Sequence, residues 1–145
     1  MNRNKAFTLI ELLLVVAIIT LLVALILIPF TAARFKAKDA RIKGNVSQLR
    51  AIAGMIYDDN SSYGVLCSAN TINISGSGYD TQTGAILTDI GLQSGSVYGC
   101  TSTASVYCVE AALPSGDYFC IDSTGLATTT SSVNEHCTST ESDCS

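Results

Sequence analysis

The sequence predicts an α+β fold: a long N-terminal helix, apolar in its first half and amphipathic in its second, packed on a small antiparallel β-sheet head stapled by disulfides. Three observations predict it. Residues 7–30 form an almost uninterrupted apolar run, and about 20 such residues are enough to span a bilayer. Ile42, Val46, Leu49, Ala53 and Ile56 then recur at spacings of three and four, which is one face of a helix. All six cysteines follow, in a Ser/Thr/Gly-rich region broken into short strand-like stretches.

The chain starts with a short polar and basic segment, residues 1–6. Ahead of an apolar run this is the layout of a secretory signal, but such a signal has an apolar region of about 7–15 residues and a small-residue cleavage site after it. Here the run is longer, no such site follows, and Glu11 stands near its start. A charge inside such a run costs about 2.5–3.5 kcal/mol on insertion scales, so it marks a site with a partner. A plain signal anchor leaves Glu11 without an explanation. The other residues of the run are nearly all Leu, Ile, Val and Ala, and a helix apolar on every face must be surrounded by apolar material. Lipid or further copies of the same helix supply it. Pro29 removes one helical hydrogen bond, to Leu25, and is expected to kink or loosen the helix.

The string Lys5-Ala6-Phe7-Thr8-Leu9-Ile10-Glu11-Leu12 resembles the prepilin signature of type IV pilins and type II secretion pseudopilins. Residues 13–19, LLVVAII, and Pro29 resemble that family's helix and its helix-softening proline. The resemblance implies a leader, residues 1–6, cut by a membrane prepilin peptidase between Ala6 and Phe7, with Phe7 then N-methylated. It makes Glu11 the acid at the fifth mature position, and it makes Phe7, Glu11 and Pro29 the assembly residues. Three positions depart from the family pattern: Ala6 replaces the usual Gly, Thr20 stands where many members have Gly, and Pro29 comes one residue later than is common.

Near a helix start the macrodipole favours a carboxylate. In a packed filament Glu11 would pair with the Phe7 amine of a neighbour, which selects a register more than it adds stability. The partners implied are identical subunits in a helical filament, the prepilin peptidase, an inner-membrane assembly platform, and the membrane before assembly. The resemblance implies a structural subunit, the major pilin of a type IV pilus, serving adhesion, motility or DNA uptake. A minor pilin or a pseudopilin of a type II secretion or competence system is the alternative, and a monomeric membrane-anchored binding domain a third reading. The place implied is the cytoplasmic membrane first and the cell surface afterwards.

Charge and cysteine usage agree with an exported head. All eight basic residues lie at or before Arg50, and ten of the twelve acidic ones lie after it. A head without Lys or Arg lacks the basic footprint that nucleic acid requires. An even cysteine count, Cys67, Cys100, Cys108, Cys120, Cys137 and Cys144, reads as a disulfide framework. Cys120 with Cys137 or Cys144 would tie down the C-terminal tail. The cluster Arg34, Lys36, Lys38, Arg41 and Lys43 would by the positive-inside rule lie in the cytoplasm, against the cysteines. It reads instead as a solvated collar or as a surface facing acidic heads of adjacent subunits.

The second helix half covers residues 31–59, the head residues 60–127, and a Ser/Thr-rich tail residues 128–145, disordered unless its cysteines hold it. Residues 61–84 read as loop, 85–92 as a short helix or strand, and 97–100, 106–112 and 118–121 as strands. Pro114-Ser115-Gly116-Asp117 turns between the last two. Residues 110–125 loosely resemble the closing hairpin of several pilin heads. No catalytic constellation stands out, so no enzyme, metal or cofactor is expected. His136 beside Cys137 reads as an exposed neighbour of a disulfide. No C-x-x-C pair suits zinc, and Asp80, Asp89, Asp117, Asp122, Glu135, Glu141 and Asp143 lack the spacing of a calcium loop, which leaves a solvated acidic face. Three Asn-x-Ser matches, at Asn45, Asn60 and Asn73, are weak glycosylation signals.

Overall fold

The computed structural model describes residues 7–73, 75–131, 137 and 143–145, and within them every side chain but those of 25–29 and 98. The chain divides into two compact units, Met1–Arg34 and Phe35–Ser145. Helix α1, Leu9–Asn60, contributes to both. It is one element through Pro29, so the expected softening there does not interrupt it.

In the first unit the described side chains of α1 are exposed, from Leu9 at 80% to Val23 at 48%. Among the described residues no helix is long and apolar enough to cross a membrane. The side chains of 25–29 lie outside the described ones, whereas the apolar run read from the sequence continues through them to Phe30. Thr20, the polar interruption of the run, donates its hydroxyl to the Ala17 carbonyl at 2.9 Å. That bond lets a threonine sit in an apolar helix without an unmet polar group.

The second unit is built on the amphipathic half of α1. Ile42, Val46, Leu49, Ala53 and Ile56 are fully buried, as their spacing predicts. Strands β1 (Cys67–Ser68) and β2 (Thr71–Ile72) form a small antiparallel pair. Helix α2, Asp80–Leu92, follows and buries Thr83, Ile86 and Ile90. The main sheet is an antiparallel meander in the order β3 (Ser96–Ser102), β4 (Tyr107–Ala112), β5 (Tyr118–Asp122) and β6 (Ala127–Thr130).

The segment 61–84, read as loop, thus carries a strand pair and the first turn of a helix. Its strands are two residues each, too short for periodicity to register. The sheet also continues past residue 127, because β6 pairs with β5 from Tyr118↔Thr130 to Ile121↔Ala127. The Ser/Thr-rich composition of 127–130 masked it as tail; a half-exposed edge strand needs no apolar alternation.

Both faces of the sheet are covered. Side chains alternate along a strand, and Tyr107, Val109, Ala111, Phe119 and Ile121 join the α1 core while Cys108 and Cys120 form a second buried cluster with Cys137 and Cys144. Gly95 and Gly99 permit the two close approaches. A Cβ on Gly95 would lie 2.6 Å from Ile42 Cδ1, and one on Gly99 would lie 2.8 Å from the Cys137 carbonyl oxygen. The six cysteines form Cys67–Cys100, Cys108–Cys137 and Cys120–Cys144. Cys120 therefore bonds one of the two partners considered, and the C-terminal segment is pinned over the second face at two points.

Candidate functional site

The candidate site is the start of α1. Thr8 stands just before the first helical residue, and its carbonyl accepts from Leu12 N–H at 3.3 Å. The Thr8 hydroxyl accepts from Glu11 N–H at 3.3 Å, and Glu11 Oε2 accepts from Thr8 N–H at 3.0 Å and from the Thr8 hydroxyl at 2.9 Å. This is a capping box, in which two N-terminal amide groups that lack helical partners satisfy each other's residues. The signal was in the sequence as Thr8-Leu9-Ile10-Glu11, a Ser/Thr-x-x-Glu ahead of an apolar run, and the reading of Glu11 as a charge awaiting a partner passed over it. Phe7 beside it is 81% exposed. Ala6 lies outside the described residues, and so does the side chain of Pro29.

Around the carboxylate, Leu9, Ile10, Leu12, Leu13 and Leu14 are each at least 60% exposed. An apolar surface of this extent marks an interaction site, since monomeric soluble proteins rarely show contiguous patches above a few hundred Å². What the arrangement offers is an apolar helix with one acid at its tip, capped and ready.

The basic cluster is not one surface. Arg41 donates to Asp89 through both Nε, at 2.8 Å, and Nη2, and Asn45 Nδ2 also donates to Asp89. Those bonds from Arg41 and Asn45 hold the Asp89 carboxyl below its ordinary range and raise Arg41. Lys43 lies 5.7 Å from the centre of the Phe119 ring. Arg41 and Lys43 thus have partners inside their own unit, although the Arg41 side chain stays 60% exposed. Arg34 covers the Phe30 ring at 4.4 Å, and Lys36 is exposed.

Among the described residues one acid, Asp122, leaves the solvated face predicted for it. Asp122 is 1% exposed; burial pushes its pKa up, but donors from Thr124, the Cys144 amide and the Leu126 amide outweigh that and bring it below the ordinary range. Asp80 is lowered by bonds from the Gly76 amide and from Ser77, and so closes the loop before α2. Glu110, which the sequence did not single out, is fully buried in β4. His136, Glu135 and Glu141 lie outside the described residues.

Among the described residues one cysteine group has metal-like spacing: the sulfurs of Cys108, Cys120 and Cys144 lie within 4.8 Å of one another. Each is in a disulfide, so none offers the thiolate that zinc requires. The side-chain amides of all three Asn-x-Ser matches donate within the chain: Asn45 to Asp89, Asn73 to the Val65 carbonyl and Asn60, at the end of α1, to the Ile56 carbonyl at 3.0 Å.

The prokaryotic N-terminal methylation motif matches residues 1–27 of the chain. This is the class III signal typical of type IV pilins and type II secretion pseudopilins, structural and non-catalytic proteins. The signal implies processing by a prepilin peptidase, a membrane-held precursor and a place in a surface assembly. The long helix on an antiparallel sheet, with its disulfides, makes the fold α+β. No curated protein and no solved structure matches the chain.

Proposed function

We propose that this chain, whose first 27 residues are a prokaryotic N-terminal methylation motif, is the repeating subunit of a type IV pilus. The observation that carries the proposal is the tip of α1: an exposed apolar helix whose acid sits four residues after the methylation-site phenylalanine. Cleavage between Ala6 and Phe7 creates a cation, and N-methylation leaves it charged. Before assembly the apolar run rests in lipid with Glu11 in its own capping box. On assembly, copies of the same helix replace lipid, and Glu11 meets the Phe7 amine of a neighbour. Both bonds within the subunit use one carboxylate oxygen, and a carboxylate has further lone pairs to accept from an intersubunit donor. An incoming subunit is thereby drawn to the register that pairs both charges, since a buried charge left alone is strongly unfavourable. Pro29 supplies a point of stretch in the same helix.

A second reading, a minor pilin or pseudopilin present in few copies, rests on the same motif. The Ser/Thr-rich, disulfide-stapled head favours an exposed filament surface over it. Intact-mass and N-terminal analysis of protein sheared from the cell surface tests the proposal. The expected result is an abundant chain beginning at N-methylated Phe7. A chain retaining Met1, or one cut beyond Pro29, would overturn it, and scarcity in the sheared fraction would select the second reading.

A further inference from the structure

We propose that Cys108, Cys120, Cys137 and Cys144 form a single four-sulfur site for thiol–disulfide exchange, with Cys120 as its hub, at which a small thiol interconverts two pairings of these cysteines. The two disulfides are in contact. Cys120 Sγ lies 3.6 Å from Cys108 Sγ and 3.6 Å from Cys137 Sγ, although it is bonded to neither. The sulfurs of Cys108, Cys120 and Cys144 also lie within 4.8 Å of one another. All four residues are at most 3% exposed and form their own buried cluster, to which the third disulfide, Cys67–Cys100, does not belong. Cys144 is itself buried, but its neighbours Asp143 and Ser145 are exposed, so local opening at this end admits the thiol.

The exchange balances in three steps. A thiolate attacks Cys144 Sγ; the Cys120–Cys144 bond breaks, a mixed disulfide forms on Cys144, and Cys120 leaves as a thiolate. From 3.6 Å away it attacks Cys137 Sγ; the Cys108–Cys137 bond breaks, Cys120–Cys137 forms, and Cys108 leaves as a thiolate. Cys108 then attacks Cys144 Sγ, forming Cys108–Cys144 and expelling the original thiolate. Nothing is oxidised or reduced overall, and the thiol acts as a catalyst. Cys144 N–H is held by Asp122 Oδ2 at 3.0 Å, and the Cys137 carbonyl accepts from the Thr101 hydroxyl at 3.3 Å. These contacts tie Cys137 and Cys144 to the sheet in the observed pairing.

The test incubates the intact chain with reduced glutathione at about pH 8, where a thiol is partly ionised, and then maps the disulfide-linked peptides by mass spectrometry. No Lys or Arg follows Arg50, so digestion is by pepsin, whose acid conditions also freeze exchange. Linked peptides Cys120–Cys137 and Cys108–Cys144 are expected at about one per cent or more of the total, and not without glutathione. A glutathione adduct on Cys144 with only the original Cys108–Cys137 bond would overturn the proposal. So would unchanged pairing of the four after Cys67–Cys100 has exchanged. In Cys144→Ser the same site predicts a share of Cys120–Cys137 or Cys108–Cys120; an intact Cys108–Cys137 bond with Cys120 fully alkylated counts equally against it.

Discussion

The Glu11 carboxylate accepts from both the amide and the hydroxyl of Thr8, so replacing it has consequences in two states of the chain. Thr8→Ala removes the hydroxyl half of the capping box but leaves the acid. Glu11→Ala removes both the box and the charge that a neighbour's amine would meet. We expect Thr8→Ala to be cleaved and to yield filaments, with yield reduced no more than a few-fold, and Glu11→Ala to be cleaved yet to yield few or none. Electron microscopy of sheared fractions reads both; equal loss in the two variants would make the cap, and not the intersubunit pair, the reason for Glu11. At the other end of the chain Asp122 makes a pH prediction. Its folded pKa is depressed by its donors, so its stabilisation is fully present above the unfolded value of about 3.9 and is lost as pH falls through the folded value. Asp80 and Asp89 shift in the same direction and add to the acid limb. Asp122→Asn should cost about 1–3 kcal/mol at neutral pH and flatten that limb. Urea titrations at neutral pH and near pH 3 check it, and parallel pH profiles for the two proteins would contradict the assignment.

At the scale of elements, the α1 face and the strap over the sheet make separate predictions. Leu49 is fully buried between α1 and the sheet, and Leu49→Ala should cost about 2–5 kcal/mol. Gln48, exposed one residue away, should change stability by no more than about 0.5 kcal/mol as alanine. Gly99→Ala drives a Cβ against the Cys137 backbone, where nothing flexible can yield, and should cost about 1–3 kcal/mol. Thermal melts of the three variants rank them; a melt of Gly99→Ala equal to the parent would mean the strap is not seated on β3. The α1 face was legible because five buried residues repeat at helical spacing over an exposed polar face. The strands at β4 and β5 were legible too, being short, mostly apolar runs on either side of a Pro-Ser-Gly-Asp turn. The strap was not, since its hold depends on which cysteines meet, and spacing leaves fifteen pairings open for six. Nor was the fate of Arg41 and Asp89, because residues 48 apart in sequence meet only once α2 lies on α1. The capping box was the opposite case: a local pattern, fully visible, passed over because the same acid had a long-range explanation.

At the scale of the whole molecule, the two units place opposite demands on their surroundings. The head, Phe35–Ser145, buries its apolar residues from Ile42 onward and closes both faces of its sheet with its own helix and its own disulfides. Among the described residues, the first member of its core is Ile42. The first unit has the reverse character, with large apolar side chains exposed from Phe7 to Val23. A chain beginning at Phe35 should therefore keep the fold of the head and stay monomeric without detergent, with the three disulfides intact. The chain beginning at Phe7 should need detergent or lipid, or else associate through its apolar helix. Size-exclusion chromatography with and without detergent, together with circular dichroism melts, distinguishes the outcomes. A shortened chain that unfolds would show that the head depends on the first unit. A chain from Phe7 that runs as a monomer in buffer alone would remove the apolar helix as the element that drives assembly.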